Sequence, residues 1–302
     1  MKHLISIKDL SREEIEEIIK KSGEMEAVLK NNENLDIMKG KILATLFFEP
    51  STRTRLSFTS AMQRLGGSVM GFEAVESLSV AKGENLTDTI KTVEKYSDII
   101  VIRHPKEGTA RYAAEVSSKP VINAGDGSNQ HPSQTLIDLY SINKLKGRIE
   151  GLNITLLGDL KHARVMKPLA YALAMFGSKL TFAAPEELEF SKELVDELKE
   201  KFNADITQTN DIHLGVGDAD VVYACRIQKE RFADQYEAEK MQKSFKITPE
   251  ILENAKEDMI ILHALPKVGE VDPSIDETKY AKYFEQVAYG IPVRMAILSM
   301  VI

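Results

Sequence analysis

Repeatedly along this chain of 302 residues, a short apolar run stops at a polar motif. Ile42–Phe48 (ILATLFF) stops at EPSTRT, DIIVI at RHP, and VINA at GDGSNQHPSQ. Further on, NITLL stops at GDLKHAR, DVVYAC at RIQKER, and MIIL at HALPK. Apolar runs this short, rich in strand formers, read as strands buried on both faces, the pattern of a parallel sheet covered by helices. The intervening text carries helix signals. Ser11 and Glu14 have capping-box spacing at the start of a helix over 11–29, and Phe58, Met62 and Leu65 lie on one helical face before Gly66-Gly67. The alternation implies βαβ units and an α/β fold. Ligands of such sheets bind beyond the carboxyl ends of the strands, where all of these polar motifs lie.

The length suits two domains, because single cores stop growing near ~250–300 residues. The expected architecture is two doubly wound parallel-sheet domains with the active site in the crevice between them. A polar stretch with two glycines places the joint near residues 131–150. The last segment, 277–302, reads as mostly helical, with Gly290 and Pro292 as a bend, and is long enough to return to the first domain. The division is therefore 1–133 plus 286–302 for one domain and 134–285 for the other. Further strands are expected at 68–73, 179–183 and 220–224, helices at 87–96, 109–117, 167–176, 187–202 and 248–256, and a helix carrying Leu136, Leu139 and Tyr140 after GDGSNQHPS. Charged text fills 227–246, and Gly215-Val-Gly217 lacks the third glycine of the dinucleotide fingerprint and precedes a strand.

A net charge of −7 argues against nonspecific nucleic-acid or anionic-membrane binding, so an anionic substrate needs a locally basic pocket. With Cys225 as the one cysteine, no disulfide forms within the chain and no cysteine metal cluster exists. The amino terminus lacks an apolar signal core and no stretch approaches ~18 consecutive apolar residues. A cytoplasmic protein is expected. Metal-ligand spacings, a Walker loop and the dinucleotide fingerprint are all missing, so neither a metal nor another cofactor is expected.

Ser51-Thr52-Arg53-Thr54 stands where a strand turns into a helix, and such a turn gathers backbone N–H groups and the positive dipole end around an anion. Ser and Thr also serve there as plain helix caps, but Arg53 opposes the dipole unless an anion is present. His131 and Gln134, after turn formers, are either a solvated loop or donors and acceptors for a carbonyl and an amine. Arg103 ends a strand and faces either crevice or solvent. Arg164 and Arg226 are either surface ion pairs or a clamp for a dicarboxylate. Lys82 lies in SVAKGE, a Gly-containing loop where an ordinary exposed lysine is equally natural. Asp126, Asp159 and Glu49 read as structural partners for these arginines. Leu265-Pro266 can be a rigid turn presenting carbonyl oxygens.

Together these residues resemble the aspartate/ornithine carbamoyltransferase family, from end to end. FFEPSTRTRLSF (47–58) looks like its carbamoyl phosphate signature and GDGSNQHPSQ (125–134) like its second block. SVAKGE, RHP, GDLKHAR, RIQKERF and HALP follow in the family's order. The aspartate branch fits better. RIQKERF resembles its amino-acid loop, whereas the Ser-Met-Gly and His-Cys-Leu-Pro motifs of the ornithine branch are missing. A basic clamp also suits aspartate and repels the ornithine side-chain amine.

The resemblance implies transfer of a carbamoyl group from carbamoyl phosphate to L-aspartate, a step of pyrimidine synthesis. Ser51, Thr52, Arg53 and Thr54 would cradle the phosphate. Thr54, Arg103 and His131 would polarise the carbonyl, with Arg103 also touching phosphate. Gln134, Leu265 and Pro266 would hold the carbamoyl NH₂, the last two through backbone carbonyls. Arg164, Arg226 and Gln228 would bind aspartate, and Lys82, with Ser79, would reach in from a neighbouring subunit. Glu49 would pair with Arg164 and Arg231 on closure. The implied assembly is a homotrimer with shared active sites, and in several organisms of the family regulatory chains bind as further partners. Two other readings are a carbamoyltransferase for another amino acid and a catalytically silent assembly partner. The second is motivated by two departures from the family pattern. Lys267 replaces an arginine and loses its bidentate fork. Pro168, four residues after Arg164, is expected to bend or delay a helix.

Overall fold

The computed structural model describes residues 1–33, 35–73, 84–232 and 234–302. Ser79 and Lys82 lie outside the described residues. The chain divides into two compact units, Met1–Tyr140 with Tyr289–Ile302, and Ser141–Ala288.

In the first unit, helix α1 (Arg12–Lys30) opens with the expected capping box: Ser11 accepts from the Glu14 N–H while the Glu14 carboxylate accepts from the Ser11 N–H. Strands β1 (Ile42–Phe47), β2 (Ser68–Glu73), β3 (Ile99–His104) and β4 (Val121–Asp126) form a parallel sheet in the order β2-β1-β3-β4. Helices α2 (Thr52–Arg64), α3 (Leu86–Val93) and α4 (Thr109–Val116) alternate with these strands. The apolar runs fill the core: Leu46, Ile90, Ile100, Ile102 and Ala113 are buried together. Burying each large aliphatic side chain contributes about 1.5–3 kcal/mol.

Helix α5 (Pro132–Lys146) follows, the expected helix carrying Leu136, Leu139 and Tyr140. Residues 135–142 of this helix are all buried. The chain passes from one unit to the other at 140/141 and 288/289, both inside helices.

The second unit holds strands β5 (Asn153–Gly158), β6 (Lys179–Ala183), β7 (Ile206–Thr209), β8 (Val221–Cys225) and β9 (Ile260–His263), all parallel, in the order β7-β6-β5-β8-β9. Helices α6 (Met166–Met175), α7 (Lys192–Phe202), α8 (Ile212–Gly217) and α9 (Gln235–Ser244) alternate with them, and α10 (Tyr283–Met300) closes the chain. Several elements differ from expectation. β7 and α8 fall where no element is expected, α9 lies in the charged text of 227–246, and 248–256, expected as a helix, contains only the 3₁₀ turn Glu250–Leu252. Among the described residues, no helix is long and apolar enough to cross a membrane.

One buried carboxylate ties α3 to the segment after α4. Glu94 accepts from the Ser118 N–H at 2.7 Å and its hydroxyl at 3.1 Å, with Lys95 at 3.2 Å. The Ser118 N–H, above all, holds the Glu94 carboxyl at about 2. A carboxyl depressed in the fold stabilises above its unfolded value and loses that contribution as pH falls through the folded value. Glu94→Gln should therefore destabilise by about 1.5–3 kcal/mol at neutral pH, the scale of a charged hydrogen bond. Urea denaturation of both proteins should show this gap at full size above pH ~5 and shrinking as pH falls toward ~2.

Candidate active site

In each sheet the strand order reverses once, between β1 and β3 and between β5 and β8. Crossovers on either side of a reversal leave on opposite faces, which opens a crevice at the carboxyl ends of those two strands. Ser51, Thr52, Arg53, Thr54 and Arg103 lie at the first reversal and Arg164, Arg226 and Gln228 at the second, while His131 and Gln134 follow β4 and Leu265 and Pro266 follow β9.

At the first reversal, β1 runs into α2 through Ser51, the helix N-cap, in extended conformation. Its side chain makes no capping bond and the first turn carries no acidic residue, so nothing negative competes for the dipole end. Thr54 is buried in that turn, while Thr52 and Arg53 are exposed. Across the reversal, Arg103 at the end of β3 is held twice: its guanidinium pairs with Glu49 at 2.6 Å and donates to the Ala124 carbonyl at 3.3 Å. A guanidinium anchored on two sides is aimed before a ligand arrives, and β3 fixes its root.

Beyond β4, His131 is buried immediately before α5, with Ser133 Oγ 3.4 Å from its Nδ1. The loop that delivers it is built around Asp126, which is 1% exposed. Asp126 accepts from the Gly108 N–H at 2.9 Å, the Gln130 N–H at 3.1 Å, and the amides of Asn123 and Asn129. Gln134 lies in the first turn of α5, half-buried, and donates to Asp138 at 2.8 Å.

At the second reversal, β5 ends in Gly158-Asp159 and β8 in Cys225-Arg226. Asp159, fully buried, accepts from the His162 N–H at 2.9 Å and the Gln228 N–H at 3.4 Å. Asp126 and Asp159, expected as arginine partners, thus shape loops instead: each carboxylate serves backbone N–H groups, which would otherwise be buried unpaired. Arg231 donates to Gln228 Oε1 at 3.0 Å. Arg164 and Arg226 are both half-buried.

The two departures find local explanations. α6 begins at Met166, so Pro168 lies in its first turn, where the missing N–H has no helical partner to lose. The helix is delayed, as expected, and Arg164 stands in the turn before it. Lys267 pairs with Asp276, donates to the Tyr283 hydroxyl at 3.2 Å and stacks over the Tyr283 ring at 4.4 Å from its centroid.

After β9, the Leu265–Pro266 bond is cis and Leu265 has φ +57°. His263 Nδ1 accepts from the Leu265 N–H at 2.7 Å, and its Nε2 meets Glu270 at 2.7 Å. Burial works to raise the Glu270 carboxyl, but His263 and backbone N–H groups outweigh it and hold it below the ordinary carboxylate range. The pair is nearly solvent-free, at 4% and 2% side-chain exposure, and fixes the base of the turn. Glu49, expected as an arginine partner, is one for Arg103, whereas the His263–Glu270 pair is not among the sequence expectations.

Family models match nearly the whole chain. The aspartate/ornithine carbamoyltransferase carbamoyl-P binding domain matches residues 2–144, and the Asp/Orn binding domain residues 150–301. The chain belongs to the aspartate/ornithine carbamoyltransferase family. It is 55% identical to the aspartate carbamoyltransferase catalytic subunit of Thermococcus kodakarensis over 98% of this chain and 96% of that one. The catalytic subunit of Archaeoglobus fulgidus is 52% identical over 100% and 99%. The solved catalytic subunit of M. jannaschii aspartate transcarbamoylase superposes with a TM-score of 0.94 at 51% identity, covering 100% of this chain and 98% of that one. Aspartate transcarbamoylase of Trypanosoma cruzi, solved with carbamoyl phosphate and aspartate, superposes at 0.94 with 35% identity, covering 100% and 95%.

The second reversal depends on a close backbone approach. Gly158 has φ +113°, and a Cβ there would collide with the Cys225 carbonyl oxygen. Gly158→Ala should therefore destabilise by about 2–3 kcal/mol, combining left-handed strain with the collision. Gly151→Ala, at φ +71° with nothing within 4 Å, carries only the conformational cost, about 1 kcal/mol. Chemical denaturation of the two variants should keep this order.

Proposed function

We propose that the two residue sets act together to transfer the carbamoyl group of carbamoyl phosphate to L-aspartate. The observation that carries this reading is the placement of Arg53, Thr54 and Arg103 at one sheet reversal and Arg164, Arg226 and Gln228 at the other. The first set suits a phosphate and its carbonyl, and the second suits a dicarboxylate.

The reaction is attack by the aspartate amine on the carbamoyl carbon. A C–N bond forms, the carbonyl becomes a tetrahedral oxyanion, and the C–O bond to phosphate then breaks. Ser51, Thr52, Arg53 and Thr54 cradle the phosphate on the α2 N-terminus. Thr54, Arg103 and His131 donate to the developing oxyanion, where preorganised donors are most effective. Gln134 and the carbonyls of Leu265 and Pro266 hold the carbamoyl NH₂, and Arg164, Arg226 and Gln228 hold the aspartate carboxylates. The departing phosphate takes the amine proton. No residue serves as a covalent nucleophile, so positioning and fixed charge supply the rate. Lys82, with Ser79, comes from a neighbouring subunit of a homotrimer, and Glu49 pairs with Arg164 and Arg231 on closure. Carbamoyl-aspartate and phosphate should form from carbamoyl phosphate and aspartate when products are separated by chromatography. Turnover with ornithine alone would overturn the reading.

The shared site is tested by complementation. Arg53→Ala should lower kcat/KM by a few kcal/mol of transition-state stabilisation, on the scale of a lost charge-assisted contact. Lys82→Ala should also be inactive. Mixing the two under subunit exchange should restore activity, because some sites receive Lys82 from one chain and Arg53 from the other. Continued inactivity after demonstrated exchange would show that each site is built from one chain.

A further inference from the structure

One helical turn beyond Gln134 on α5, Asp138 is completely buried. It accepts from Gln134 Nε2 at 2.8 Å. The charge facing it is Arg294 of α10, itself only 4% exposed. Burial pulls the Arg294 guanidinium down to about 9, against the opposing pull of the Asp138 charge, so it stays protonated at neutral pH. Its guanidinium carbon lies over the Phe58 ring, 4.8 Å from the centroid. Gly290, one turn earlier on α10, leaves room for it: a Cβ there would lie 2.9 Å from an Arg294 terminal nitrogen.

The two ends of a glutamine amide have nearly the same shape and opposite hydrogen-bonding character. A carbamoyl NH₂ is a donor, so a glutamine that binds it must present its oxygen. A carboxylate can only accept, so Asp138 turns Nε2 toward itself and leaves Oε1 on the other side of the amide. We propose that Asp138 is a positioning residue that fixes which end of the Gln134 amide meets the carbamoyl nitrogen. This rests on the reading of Gln134 given above. Asp138 thereby becomes a determinant of specificity for a carbamoyl rather than an acetyl group, since a methyl in place of the NH₂ gains nothing from an oriented acceptor.

The test compares KM for carbamoyl phosphate with the inhibition constants of inorganic phosphate and acetyl phosphate, neither of which carries the NH₂. In Asp138→Asn the amide can turn either way, and KM for carbamoyl phosphate should rise about tenfold, the loss of roughly one hydrogen bond. Both inhibition constants should stay within about twofold. Gln134→Glu sets one carboxylate against another and should lose carbamoyl phosphate affinity at least as far as Gln134→Ala. Combining Gln134→Glu with Asp138→Asn should restore affinity, because donor and acceptor have exchanged places. A parallel rise in KM and both inhibition constants would mean a merely structural residue and overturn the proposal. So would an unchanged KM in Asp138→Asn, or a Gln134→Glu protein that binds like wild type. If Asp138→Asn yields no folded protein, the Gln134→Glu outcome decides alone. Gln134→Ala separates the layers: an unchanged KM there sinks the assignment of Gln134 itself. A raised KM in Gln134→Ala with none in Asp138→Asn sinks only the orientation.

Discussion

Every strand in both sheets runs parallel to its sheet neighbours. A parallel pair cannot be closed by a tight turn, so the chain must cross over through a helix before it can add the next strand. All carboxyl ends in a sheet then lie along one edge, and each begins a loop leading to a helix. From this constraint the chemistry follows. It puts the end of β1 beside the end of β3, Phe47 against Arg103, and the end of β5 beside that of β8, Gly158 against Cys225.

Strand ends collected in this way carry many unsatisfied polar groups, and each unit resolves them with buried carboxylates. Asp126, Asp159 and Glu270 accept from backbone N–H groups or a histidine, and Glu49 braces Arg103. Such groups are expensive to bury unless fully bonded, and their bonding makes the loops rigid. Rigid loops suit a reaction in which positioning and fixed charge are the catalytic means.

Much of this arrangement was legible in the sequence because the central strands are unbroken apolar runs. ILATLFF, NITLL and DVVYAC each gave a strand, and the motifs after them gave the site residues. The edge strand β7 was not legible: Ile206–Thr209 has one apolar residue and is half exposed, so no run marks it. Two glycines hid the short α8. Interactions between distant segments were the least legible. His263 with Glu270 joins residues that no local pattern relates, although Gln134 and Asp138 do show the i,i+4 spacing of helical neighbours.

The Asp126 carboxylate has a consequence for how this molecule can vary. Its four bonds reach residue 108 on one side and residues 123, 129 and 130 on the other. Each donor is placed by its count of residues from the strand end. One residue gained or lost between Asp126 and Gln130 would shift the Asn129 and Gln130 donors out of register together and leave the buried charge with half of its bonds. Length variation is therefore barred from this loop, whatever its surface composition, and must be absorbed in exposed turns such as the one at Gly151, where the surrounding space is open.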